Sequence, residues 1–141
     1  MIRIYVPTIP RGQERAGRVV RIDGSGRPRV LAYTPHKTRL AVNEIRNEWI
    51  RLGRQKVPDD KPFTIRVNAT MLRPDSHTRR DGSATRNYRD VPRRPDVDNI
   101  LKLVLDALQP DCFKDDSACQ MATVCKQYGD HNALEIFIEW A

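Results

Sequence analysis

The sequence predicts an α+β domain: a small mixed β-sheet packed with two main helices. Two stretches, starting near Pro35 and Asp98, repeat apolar residues at helical spacing. Strand-like stretches surround them, giving the order strand, strands, helix, strand, helix, strand, strand, which implies a mixed sheet. With 141 residues, no internal repeat and no linker-like segment, residues 1–141 form one domain with one core.

Met1–Thr8 (MIRIYVPT) alternates apolar and polar residues and stops at prolines, as a strand does. Residues 11–29 carry six arginines against Glu14 and Asp23, and the glycines around Ser25 suggest either a turn between two short strands or a mobile arm. Val30–Tyr33 is the returning strand. A helix is expected from Pro35, with Thr34 as N-cap and Gly53 beyond its end. Leu40, Val42, Ile45, Trp49, Ile50 and Leu52 mark its apolar side, and Lys37, Arg39, Arg46 and Arg51 its exposed side. Phe63–Leu72 is the clearest strand: Phe63, Ile65, Val67 and Ala69 share one face.

Residues 73–94 hold seven arginines and almost nothing apolar, and read as a long mobile basic loop. Tyr88 within it could stack on a base or be incidental. The second helix follows, with Ile100, Leu101, Leu103, Val104, Leu105 and Leu108 leaving only a polar stripe of Asp98, Lys102 and Asp106. Met121–Tyr128 and Leu134–Trp140 complete the strands. Trp49 and Trp140 read as core or dimer contacts.

The net charge of +7 and a pI near 9.7 favour a polyanionic partner, nucleic acid first. No run reaches the roughly 20 apolar residues of a membrane span, and no signal peptide is recognisable. Cys112, Cys119 and Cys125 form no CxxC pair, as expected of reduced thiols in a cytoplasm rather than a zinc site.

Against this basic background the aspartates gather around the most apolar helix. Asp96 and Asp98 straddle Val97 at its start, and Asp115 and Asp116 follow its end. Singly, an aspartate here could cap the helix, and Asp98 and Asp106 could each pair with Lys102 at i,i+4 spacing. Together they repel one another unless a cation such as Mg²⁺ neutralises them. An acidic pocket between basic segments suits metal-assisted phosphodiester hydrolysis. On that reading PDVDN and KDDS are two halves of one metal site, brought together by the helix and its return.

RPDVDNILKLVLDAL followed by FKDDS resembles the signature of the RusA family of Holliday junction resolvases, strongly over residues 92–118. AYTPHKTR is similar to the stretch leading into the first helix of phage-type members. The resemblance implies a RusA-like homodimer in a bacterial cytoplasm, host- or phage-encoded, that cuts four-way (branched) DNA junctions symmetrically with Mg²⁺. It places Asp96, Asp98 and Asp116 at the catalytic metal-binding positions and Lys102 at the family's lysine, with Asn99, Asp106 and Asp115 on supporting positions. Lys102 would orient water or steady phosphate charge, or simply balance Asp98 and Asp106. Arg79, Arg80, Arg86, Arg89, Arg93 and Arg94 are the expected DNA contacts. The N-terminus departs from the family: where many relatives carry Pro-Pro-Ser-x-Asn, this chain has PTIPRGQER, so no role is carried over to Arg11 or Arg15. The alternatives are a metal-dependent nuclease of broader choice, cutting flaps or duplex, and a non-catalytic DNA-binding accessory protein.

Overall fold

The computed structural model describes residues 1–141. Its elements are β1 (Ile2–Val6), β2 (Gly17–Ile22), β3 (Pro28–Tyr33), α1 (His36–Arg51), β4 (Phe63–Leu72), α2 (Val97–Leu108), β5 (Cys119–Gly129) and β6 (Ala133–Trp140). This is the expected α+β order. One four-stranded sheet runs β1-β6-β4-β5, with β4 and β5 parallel and the other pairs antiparallel; β2 and β3 form a hairpin of their own.

Strand alternation becomes continuous apolar rows once the strands pair. Ile2 lies opposite Ile138 and Ile138 opposite Ile65; Ile4 meets Ile136, and Ile136 meets Val67. All six are essentially inaccessible. Because β4 and β5 are parallel, the chain must cross over between them. The crossover is the 73–94 segment and α2, whose buried residues Ile100, Leu103, Val104, Ala107 and Leu108 cover the rows.

α1 differs in detail from its sequence pattern. Pro35 itself takes the N-cap position with extended backbone, so Thr34 does not cap the helix, and no side chain does. Gly53 follows the helix in the left-handed region at φ +83°, as a helix terminator should. The buried face is Thr38, Ala41, Ile45 and Trp49, whereas Leu40, Ile50 and Leu52 are exposed. Of the expected apolar side, Ile45 and Trp49 are in the core and Val42 packs against it, while the small residues Thr38 and Ala41 complete the buried face in place of Leu40, Ile50 and Leu52. Arg46 is not on the solvent face either. Its Nε donates to the carbonyl of Ala107 at 2.8 Å, satisfying the end of α2.

The 73–94 segment carries more structure than its composition suggests. His77 is buried, Thr78 bridges Ala84, and the Arg73 guanidinium lies 4.6 Å from the Tyr88 ring centre and 4.8 Å from that of Tyr128. Tyr88 is therefore half of a cation–π sandwich that pins the segment to β5, which corrects the incidental reading.

Candidate active site

The first turn of α2 forms one wall of a groove of about 420 Å³ with no hydrophobic lining residue. Asp96 and Asn99 come from α2 and its N-cap, Arg94 and Pro95 from the approach, Lys37 and Thr38 from the start of α1, and Pro10–Arg15 from the chain beyond β1. Four cationic side chains, Arg11, Arg15, Lys37 and Arg94, thus surround Asp96, with Glu14 as the second acid. The arrangement can grip a phosphate backbone and hold a carboxylate beside it.

Backbone contacts fix these walls. Gln13 N–H donates to the Asn99 carbonyl at 2.9 Å, and Glu14 N–H donates to Oγ1 of buried Thr38 at 3.4 Å. Gly12 is required by the close approach: a Cβ there would lie 2.9 Å from Cβ of Asn99 and 3.0 Å from Cβ of Pro95. From the opposite side Lys126 of β5 donates through Nζ to the carbonyls of Pro95 at 2.9 Å and Arg93 at 3.3 Å. The Oε1 of Gln13 is buried with no donor facing it.

Neither structural use of the aspartates is realised at this end of α2. Asp96 occupies the N-cap position, yet its carboxylate accepts no capping hydrogen bond. Asp98, Lys102 and Asp106 are exposed and form no ion pair; the salt bridges lie elsewhere, at Arg3–Glu135, Arg29–Asp23, Arg51–Glu48 and His131–Asp130. Asp106 lines a second groove, between the helices, that shares Gln13 and Thr38 with the first.

The two acidic halves do not meet within one chain. Asp116 follows the other end of α2, and a helix of 12 residues holds its ends about 18 Å apart. The return does not close the gap. β5 starts at Cys119 on the Asp116 side and comes back to the Asp96 side only at Lys126, about 23 Å of strand later. No group of three or more His, Cys, Asp or Glu side chains is close enough to hold a metal ion. A three-carboxylate site therefore does not fit a single chain, and no metal-borne step follows from it. Asp115 is engaged locally. Its carboxylate accepts from Ser117, whose hydroxyl and N–H hold the Asp115 pKa below the usual range. The cysteines are all free, Cys112 buried and Cys125 exposed.

Of the arginines expected to meet DNA, Arg94 lines the groove. Arg79 is turned onto its own loop, donating to the Ala84 carbonyl at 2.9 Å and to Ser83, and Arg89 donates to the carbonyl of Tyr88. Arg80, Arg86 and Arg93 are exposed. No sequence pattern marks Arg11, Arg15, Lys37, Gln13 or Lys126 as residues of this site, because each owes its place to which distant segment packs against α2. Gly12, between two arginine-bearing stretches, is the one local signal of that close packing.

A basic groove around a helix-terminal carboxylate agrees with the comparisons. No curated protein matches the sequence. The family model for Endodeoxyribonuclease RusA matches residues 7–139, nearly the whole chain, and so the protein belongs to the RusA endodeoxyribonuclease family.

Proposed function

We propose that the protein is a homodimeric, Mg²⁺-dependent resolvase that hydrolyses phosphodiesters symmetrically in four-way DNA junctions, in the cytoplasm of a bacterium whether host- or phage-encoded. The observation that carries this reading is the Asp96 groove, with four cations placed to hold backbone phosphates around an unengaged carboxylate. Lys102, four residues beyond Asp98 and free of any ion pair, is available to a phosphate.

The split of the carboxylates supports a dimer. β5 is an edge strand of 11 residues, exposed over Gln120–Thr123. Paired antiparallel with its copy about a two-fold axis, it sets the Asp116 end of one protomer beside the Lys126 end of the other, where Asp96 and Asp98 stand. The ion would then be shared between Asp96 and Asp98 of one copy and Asp116 of the next.

The test is subunit mixing. Asp98→Asn and Asp116→Asn homodimers should each leave a labelled junction uncut in Mg²⁺. Their mixed dimer keeps one complete shared site and should nick a single strand, at roughly half the total nicking rate of the wild-type dimer. A mixed dimer as dead as its parents would show that each site is built within one chain. Wild-type cutting of linear duplex as fast as junction would favour the broader nuclease, and binding without cutting the accessory protein.

A further inference from the structure

The β2–β3 hairpin hydrogen-bonds to no strand of the main sheet, and no side of it is covered. Val20 is 65% exposed, Ile22 74% and Val30 64%. The register puts Val20 opposite Val30 and Ile22 opposite Pro28, so these four make one bare apolar face. A two-stranded ribbon is marginally stable in water, and a bare apolar face on one implies an occupant.

The tip is built rather than loose. Oδ1 of Asp23 accepts from the Ser25 hydroxyl at 2.6 Å, from Ser25 N–H at 2.9 Å and from Arg27 N–H at 3.0 Å, and Oδ2 accepts from Arg29 Nε at 3.2 Å. The hairpin's only acidic side chain is consumed there, and Arg18, Arg21 and Arg27 point charge outward with no acidic partner. The ribbon leaves the body two residues after Arg15 and returns four residues before Lys37, both on the rim of the groove.

Charge decides between the occupants. A second copy carries +7 and would repel so basic an arm, whereas duplex DNA attracts it. The major groove of B-DNA also admits a two-stranded ribbon. We propose that the β2–β3 hairpin is a DNA-gripping arm: it seats on a duplex arm of the junction beside the cleaved strand. Its arginines meet phosphates, and its Val20–Ile22–Val30 face lies against sugars and base edges. This rests on the nuclease reading above, and extends the DNA surface beyond the groove.

Junction affinity without divalent cation, measured across a salt series, tests it. The triple variant Arg18→Gln, Arg21→Gln, Arg27→Gln leaves Arg29 to hold the turn. It should bind at least tenfold more weakly at 0.1 M salt, and its log affinity should fall less steeply with log salt, by two to three in slope at about 0.9 per lost phosphate contact. Its cleavage rate at saturating enzyme should equal wild type. An unchanged slope and affinity, in a wild type that binds and cuts junctions, would overturn the arm and leave the nuclease reading standing. A wild type that binds no DNA would take down both. As a second measurement, Gly24→Cys at the open hairpin tip, in a Cys125→Ser background, carries a photo-cross-linker. Cross-linking to junction DNA, absent in the Cys125→Ser parent, supports the arm; cross-linking to a second protomer instead overturns it.

Discussion

Gly12 shows how much of the groove depends on a missing side chain. Adding one methyl group there forces contact with Asn99 and Pro95, so the Pro10–Arg15 wall must move away from α2. Gly12→Ala should lower junction cleavage about 10- to 100-fold, the usual result of displacing a binding group by about an ångström. The melting temperature should change little, since the groove lies outside the apolar rows. Cys112 is a different kind of residue, a core thiol whose pKa burial pushes up to about 12, with Lys56 pulling weakly the other way. An unfolded thiol loses its proton from about pH 8.5, while the folded one keeps it far higher. The stabilisation is therefore complete below about pH 8.5 and is lost as pH rises towards 12. Denaturant titrations should show the advantage of wild type over Cys112→Ala shrinking by roughly 1.4 kcal/mol per pH unit between pH 9 and 11. A gap constant with pH would mean the thiol ionises alike in both states. Residues such as Asp96 and Asp98 could be singled out beforehand because chemistry restricts which side chains hold cations. Arg11 and Lys37 could not, since any surface arginine or lysine looks the same until its neighbours are known.

Among the elements, α2 was the most legible, because a dense apolar repeat broken by one polar stripe leaves few alternatives to a helix packed on a sheet. The same helix explains the main misreading. Acidic groups near each other in sequence, but on either side of a helix, are held apart by its length; adjacency implied convergence where rigidity forbids it. The C-terminal end of α2 also gained a partner that periodicity could not show. Arg46 donates to the carbonyls of Ala107 and Gln109, placing a cation at the negative end of the helix dipole. Arg46→Met keeps the stem and removes the donor, and should cost about 1–3 kcal/mol of unfolding free energy. Cleavage by the folded protein should stay within twofold, because Arg46 lines neither the Asp96 groove nor the pocket beside Asp115. A large loss of cleavage at unchanged stability would instead tie Arg46 to the substrate.

For the whole molecule, element order was readable and sheet order was not. Alternation tells which face of a strand is buried but not which strand lies beside it, and β1 pairs with β6 across almost the entire chain. That long-range order places β5 at an edge and so turns a question about carboxylates into one about assembly. An exposed edge strand is normally protected by charge or covered. Here Gln120–Thr123 carries no charge, and Met121 is 61% exposed. Near the two-fold axis of an antiparallel β5 pair, a lysine would face its own copy, and like charges directly opposite destabilise pairing. Met121→Lys should therefore be monomeric by sedimentation at micromolar concentration, melt within a few degrees of wild type, and cut junctions at least 100-fold more slowly. Because the shared site needs both copies, wild-type activity should in turn fall steeply on dilution through the dimer dissociation constant. A Met121→Lys protein that stays dimeric and active would move the interface off β5, and the pairing of Asp116 with the partner's groove would have to be sought on another face.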